Sequence, residues 1–557
     1  MRVKEGSVLP LGVLVTREGI NFSFVADNDN KSCELLLYLK GAKAPFKQIK
    51  MHKNRGAIWT LYLEELKEPE KMEYLYLVDG KMRLDPYAKE ISAGDTLTKR
   101  RAYLVLPEFN WEEDENPNLP FNQVIAYSLH VRGFTRHVSS KVKHKGTFEG
   151  VIEKLDYLKA LGINQIHCMP VYDFLDRPGY TNYWGYGKGY YFAPKGTYSG
   201  EERASLSLKK MVKTLHKSGI EVVLEMPFNE EASYGFMLEC LRYYVLEYHI
   251  DGFIVNPLLL PIKELEKDPF LKSVKILYHE TTFQNTLRRF LKGDEAMVPQ
   301  VIKELTTRGE DKNTFHYITS QSGFTLQDLV SYDGKHNEAN GENNTDGEDY
   351  NYSWNCGVEG KTKKKAVLEL RNRQIRNAFS FVLLAKGMVA LLAGDEFSNT
   401  QEGNNNVYCQ DNAISWLNWN LATKNKEQIE FVKDLIHLRK SCTMLFNGNS
   451  DKRQGYYPGG APEISFHGEQ AWQAPIAVAS RILGIYYHNE DKQGKSLYLA
   501  LNMHWMEHDF ALPSNNKGKW QLVMDTNVGV LEKPELLKEQ KYVSVKERSI
   551  KVLVANE

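Results

Sequence analysis

Three glutamates, Glu225, Glu230 and Glu280, stand at or just after apolar, strand-like runs. Two carboxylates held close together can act as general acid, base or nucleophile, so any two of these could form a working pair. The chain also has 31 Tyr and 9 Trp, compatible with a surface that stacks on sugar rings, although core packing accounts for most aromatics. Asp346, Glu348 and Asp349 are close enough to suggest calcium, but their spacing does not match an EF-hand and a solvated loop is the simpler reading. The polar loop 336–344 reads equally as a ligand-binding segment or as an Asn/Asp turn network satisfied by itself. Lys361, Lys363, Lys364 and Lys365 form a basic run beside a helix start and read as a solvated face. His167 and Cys168 lie on a buried strand and read as core. The six cysteines include no CxxC pair, so neither a disulfide scaffold nor a thiol metal site is expected. No metal and no cofactor is implied.

The elements that must position these groups fall into three blocks. At 557 residues the chain is long enough for several structural units, and its charge is 71 − 71 = 0. A neutral balance with both signs scattered argues against a nucleic-acid partner or an anionic membrane surface. No apolar run approaches the roughly 20 residues that span a bilayer. Residues 8–15 are weakly apolar but contain Pro10 and Gly12, so a signal peptide is not expected and a cytoplasmic, reducing location is. Residues 1–105 read as a β-sandwich with strands near 20–25, 33–39, 59–63 and 74–78. Residues 106–121, rich in acids and prolines, read as an extended linker. Residues 122–442 alternate strand and helix, with helices predicted over 148–161, 206–218, 235–248, 366–385 and 429–440. Seven strands can be placed in this block; a sixth in order, expected near 281–312, cannot. Residues 443–557 return to β-strands. The fold class expected is α/β: a (β/α)8 TIM-type barrel, irregular around strands five and six, flanked by N-terminal and C-terminal β-sandwich domains.

Residues 323–360 read GFTLQDLVSYDGKHNEANGENNTDGEDYNYSWNCGVEG, and residues 390–419 read ALLAGDEFSNTQEGNNNVYCQDNAISWLNW. Residues 129–137 (LHVRGFTRH), 182–186 (NYWGY) and 85–88 (DPYA) fit the same pattern. Together they resemble, over nearly the whole chain, the glycogen-debranching, isoamylase-like branch of the α-amylase superfamily (glycoside hydrolase family 13). Its N-terminal sandwich is similar to a starch-binding-type module. The resemblance implies a retaining α-glucosidase chemistry that needs a nucleophile and a general acid roughly 5–5.5 Å apart. It also implies a third carboxylate and an orienting Arg at the C-terminal ends of barrel strands.

At the catalytic positions this chain departs from that pattern. Where the family has Asp, then Asn and His after the third strand, the chain has Glu225, Asn229 and Glu230. Where it has Gly-Phe-Arg-Phe-Asp, the chain has Ile254 for the Arg and Asn256 for the nucleophile. His279 falls at the general-acid position and Glu280 one residue beyond, the best residual acid if a bulge turns it inward. Gln321 and Ser322 replace the His-Asp pair before Gly323. Only residues 230–233 separate Asn229 from Tyr234, and the stretch 280–288 is also shortened, so two loops that wall the family's pocket are reduced.

Sugar contacts implied by the resemblance remain at Tyr186, the stacking aromatic, with Trp184, His130, Arg132, Asn229, Tyr408 and Trp416 as further candidates. The function expected is therefore a catalytically impaired family member that binds branched α-glucan, glycogen or starch-derived, or an active glucan-processing enzyme. Two alternatives stand beside it: an α-glucan hydrolase with rebuilt chemistry, and a protein-interaction scaffold.

Overall fold

Alternating apolar residues in the first hundred positions fold into two facing antiparallel sheets. The computed structural model describes residues 1–92, 100–174, 181–201, 203–306, 312–446, 462–489, 495–514 and 518–555. One sheet is built on Gly19–Val25 paired with Ile58–Glu64, the other on Cys33–Leu39 paired with Met72–Val78. The inward residues Phe22, Phe24, Leu35, Leu37, Leu61, Tyr74 and Tyr76 fill the space between them. This sandwich is fastened to the next block through Tyr87, whose ring meets Phe192 and Phe236 at 5.3 and 5.1 Å. Glu90 adds an ion pair with Arg203 at 2.6 Å.

Six parallel strands form the central sheet, in the order Lys275–Leu277, Gly252–Ile254, Glu221–Glu225, Gln165–Cys168, Ile125–Leu129, Val389–Leu392. Residues 313–317 join its two edges. His316 bridges Val389 in parallel, donating to the Met388 carbonyl and accepting from the Ala390 N–H, both at 2.9 Å. On the other side the Asn313 carbonyl accepts from the Tyr278 N–H at 2.9 Å, and its amide donates to the Ile276 carbonyl at 2.8 Å. Among the described residues the wall thus has seven staves where eight were expected. The stretch that would supply the sixth forms the helices Thr282–Lys292 and Val298–Thr306 instead. The direct bonds between Tyr278 and Asn313 leave no gap for another strand.

Inside the wall the layers are apolar, with Ala126, Val223, Ile254, Leu277, Phe315, Tyr317 and Ala390 packed together. One polar chain runs through them. Lys275 donates to Glu221 at 2.7 Å, the Gln165 amide donates to Glu221 at 2.6 Å, and His167 Nε2 meets the Gln165 oxygen at 2.7 Å. Because a carboxylate only accepts, the Gln165 amide nitrogen must face Glu221, which leaves His167 Nε2 protonated. Helices cover the outside where the sequence places them, over Ala204–His216, Tyr234–Tyr248, Lys365–Leu383 and Lys426–Ser441. The predicted 148–161 helix is broken into Phe148–Ile152 and Leu155–Leu161 and stops at Gly162, φ +93°.

The acidic stretch 106–121 is extended but is not a free linker. Trp111 stacks on His249 at 3.8 Å, Glu112 pairs with Lys213 and Lys217, and Asp114 is buried against His216 and His249. Its charges are spent on the barrel surface, which is why a composition typical of a linker forms a strap. The C-terminal block is a six-stranded antiparallel sheet with a two-stranded one, His508–Ala511 and Tyr542–Val545, around Tyr498, Phe510, Trp520 and Leu553. No helix among the described residues is long and apolar enough to cross a membrane.

Candidate functional site

The C-terminal ends of the staves open into a cavity of about 470 Å³. Six of the catalytic and sugar-contact candidates line it: Tyr186, Glu225, Ile254, His279, Gln321 and Ser322. Their convergence comes from register. Glu225 is the register partner of Ile254, and Ile254 that of Leu277, two residues before His279, so Glu225, Ile254 and His279 reach one mouth. Ile254 is 4 % exposed and gives Glu225 no positive partner. Instead the Tyr186 hydroxyl donates to Glu225 Oε1 at 2.6 Å. Burial, then the Glu225 charge, pushes that phenol well above its usual range, so Tyr186 remains a proton donor at neutral pH. The residue as a whole is 38 % exposed and lines the cavity.

His167 and Ser128 form part of the cavity floor, with Ser128 Oγ and His167 Nδ1 3.5 Å apart. Burial, then the neighbouring His279, pulls the His167 pKa down to about 3, so the ring is neutral. His167 is thus a core residue, as its strand suggested, with one nitrogen turned toward the site.

The other candidates lie elsewhere. Asn256, at the nucleophile position, is exposed, and its Oδ1 accepts from the Leu258 N–H at 3.0 Å. Glu230 is exposed and outside the cavity. Glu280 also does not line the cavity: Oε1 accepts from the Thr282 N–H at 2.9 Å and from the Thr282 hydroxyl, holding the start of the helix Thr282–Lys292. A one-residue offset at a strand end therefore made Glu280 a helix-start residue rather than an acid in the cavity.

Asn229 is half-buried, its N–H donating to the Tyr191 hydroxyl at 3.0 Å. His130 is buried, caps the short helix Val131–Thr135 through the Gly133 N–H, and is held neutral by burial, its pKa down to about 4. Arg132 donates through Nε to both oxygens of Asp411 at 2.7 and 2.8 Å, and Trp416 donates to the same Asp411 at 2.9 Å. Trp184 is packed among Met169, Tyr183 and Val407, and the Tyr408 hydroxyl donates to Glu342. These residues anchor loops around the mouth rather than face it.

The sequence did not point to Arg288, Gln284, Asn285, Tyr317, Ser320, Tyr350 or Tyr352, which also line the cavity. A helical-face signal was available for four lining residues. Thr281, Gln284, Asn285 and Arg288 recur at i, i+3, i+4 and i+7, but on a segment read as loop or lost strand. Glu348, read as a solvated acid, lines the cavity too, and its Oε1 accepts from the Tyr350 N–H at 3.1 Å.

The loop 336–344 bonds mostly to the chain's own polar groups. Asn337 and Asn405 exchange bonds at 2.8 and 2.9 Å, and Asp346 Oδ2 accepts from Asn340 at 2.7 Å and from Asn406 at 3.0 Å. Asp349 pairs with Lys335. Among the described residues no group of three or more His, Cys, Asp or Glu could hold a metal ion.

The arrangement offers aromatic faces, hydroxyls and amides to a polyol. Of the carboxylates among the described residues, only Glu225 and Glu348 line it, and each already accepts a hydrogen bond from the chain.

Comparison with known proteins agrees with this fold. The alpha amylase catalytic-domain family matches residues 130–239. Isoamylase 3, chloroplastic, of Oryza sativa subsp. japonica is 30 % identical, the alignment covering 95 % of this chain and 83 % of that protein. The glycogen operon protein GlgX homolog of Haemophilus influenzae is also 30 % identical, over 81 % of this chain and 84 % of that protein. Among solved structures, pullulanase type I from Bacillus subtilis, complexed with maltose, superposes with a TM-score of 0.76 at 17 % identity. That match covers 98 % of this chain and 85 % of the pullulanase. The motifs at the barrel mouth and relatives 30 % identical along most of both chains place this chain in the isoamylase-like, glycogen-debranching branch of the α-amylase family.

Proposed function

We propose that this protein is a catalytically impaired member of its family that binds branched α-glucan and presents it to, or holds it beside, an active glucan-processing enzyme. The observation that carries the reading is the pairing of Tyr186 with Glu225 in a polar cavity whose nucleophile position, Asn256, is turned out to solvent. A retaining mechanism needs a free carboxylate on the sugar and a second one as acid. Here the carboxylate nearest the family's site is engaged by a phenol, and an isoleucine stands where a guanidinium would be. Sugar binding needs much less: an exposed ring face and hydrogen-bonding groups around it. The structures of pullulanases complexed with maltose and maltotetraose support the choice of ligand class.

The test is affinity electrophoresis of the full chain in gels with and without glycogen, beside a reducing-end assay on branched limit dextrin. Retardation by glycogen with a flat progress curve is expected. Unchanged mobility would favour a pure interaction scaffold and sink the glucan reading. Tyr186→Ala is expected to weaken maltooligosaccharide binding by about 2 kcal/mol, roughly thirtyfold, as loss of a central aromatic contact does. Tyr186→Phe, which keeps the ring, is expected to lose much less. Equal losses in a calorimetric titration would mean that the ring is not the platform.

A second reading rests on Glu225 and Glu348, the two acids that line the cavity. If they form a working pair, wild type releases reducing ends and Glu348→Gln abolishes the release.

A further inference from the structure

We infer that the cavity is built to take a glucosyl unit carrying a phosphomonoester, with the phosphoryl group seated on Arg288, an inference that rests on the α-glucan reading of the same cavity. Arg288 is 4 % exposed and lines the cavity from the helix Thr282–Lys292. Its Nε donates to the Ile318 carbonyl at 2.7 Å and its Nη1 to the Asn351 carbonyl at 3.2 Å. Nη2 is buried and has no partner among the described residues. Both acceptors are neutral carbonyls, so the two bonds fix the guanidinium without forming an ion pair. Burial lowers its pKa to about 10, which still leaves it a cation at neutral pH. A buried cation without a directly paired anion and with an unused N–H is an unfavourable arrangement unless an anion completes it.

The surroundings direct that anion to the Arg288 side of the cavity. Beside Nη2 the wall is Gly323, where even an added Cβ would stand 3.9 Å away, so no side chain from that position covers the guanidinium. The neighbouring lining groups are neutral: Gln284, Asn285, Ser320, Gln321 and Ser322. The two carboxylates of the cavity, Glu225 and Glu348, accept from Tyr186 and from the Tyr350 N–H, and neither pairs with Arg288. Tyr317 and, to a lesser degree, Asp395 also contribute attraction to Arg288, but neither accepts from the guanidinium, and Asp395 accepts instead from the Thr319 hydroxyl and the Leu326 N–H. A phosphomonoester has about −1.5 to −2 charge and three acceptor oxygens, matching a fixed guanidinium with a ring of neutral donors. A neutral sugar hydroxyl could accept one bond but would leave the charge uncompensated. The phosphoryl group could arrive on a free sugar phosphate or on a phosphorylated glucan chain.

The experiment is calorimetric titration of the full chain with four probes: glucose, glucose 6-phosphate, a maltooligosaccharide, and the same oligosaccharide phosphorylated. Each phosphorylated probe is expected to bind at least about tenfold tighter than its neutral counterpart, with the preference falling as salt rises. Tighter binding of the phosphorylated oligosaccharide than of glucose 6-phosphate assigns the polymer as the source; the reverse assigns the free sugar phosphate. Equal affinity of neutral and phosphorylated probes overturns the inference and leaves the glucan reading standing. No binding by any of the four overturns both. Arg288→Gln is expected to bring the preference within about twofold. Because Arg288 also ties two carbonyls, Glu348→Gln is the second variant. Removing a like charge from the cavity is expected to strengthen phosphorylated-probe binding severalfold, and unchanged or weaker binding counts against the inference.

Discussion

A variant with Ile254→Arg, Asn256→Asp, Gln321→His and Ser322→Asp, which restores four family residues at once, is expected to remain at least about 10⁴-fold less active than an active isoamylase on branched limit dextrin. The geometry gives three reasons. The fourth stave ends at Ile254, and residue 256 is exposed, with its side-chain oxygen bonded to the Leu258 N–H. Asp makes the same turn as Asn, so the restored carboxylate would keep that position outside the cavity. An Arg at 254 would stand beside Glu225, its register partner, and pair there rather than with residue 256. The acid position would still hold His279, because Glu280 holds the start of the next helix. Residues that act as a unit give almost nothing when one member is misplaced. Side-by-side progress curves at high enzyme concentration decide it: turnover within a hundredfold of the active enzyme would show that the scaffold is competent and only its side chains are impaired.

Replacing Asp114 with Ala is expected to destabilise the protein by about 3 kcal/mol or more, as removal of one partner from a buried ionic group does. The side chains of Asp114 and His216 are each 1 % exposed, and Asp251 completes the group at 2.9 Å from His216 Nε2. Asp114 also accepts from His249 at 2.7 Å, so one substitution loosens the strap from two histidines. Burial disfavours a charged His216, but the hydrogen bond and charge of Asp251, with Asp114 behind them, outweigh it and raise its pKa. A folded pKa above the unfolded value of about 6.5 means that the native state binds the extra proton. The stabilisation is therefore fully present below about pH 6.5 and fades as pH rises through the raised folded value. Urea midpoints of wild type and Asp114→Asn across this range should differ most at the acid end and converge toward the alkaline end. A difference that grows with pH would mean that His216 is neutral in the folded protein.

Tyr186 and Glu225 were both legible in the sequence as single candidates, Tyr186 through its motif and Glu225 through its place at a strand end. Their mutual hydrogen bond was not, because 39 residues separate them and only the barrel brings them together. The anchoring roles of His130, Arg132 and Trp416 were hidden for the same reason. Polar residues near a strand end read alike whether they face a ligand or hold a loop, and the partner that decides, Asp411 for Arg132 and Trp416, is supplied by another segment.

Periodicity and turn residues by themselves determined the sandwich strands, the main helices and the βα alternation, since these depend on neighbours within one or two turns of chain. The family motifs determined which chemistry had been replaced. Sequence also registered that a sixth strand was missing. Only the tertiary structure decided how the described residues join the two edges of the sheet without it, because that join depends on a hydrogen bond between residues 35 apart, Tyr278 and Asn313. It also decided that Glu280 holds a helix start, that Asn256 faces outward, and that Arg288 stands in the cavity with an unpaired N–H. Each is a question of where a side chain points once distant strands are in register, and no local pattern contains that information.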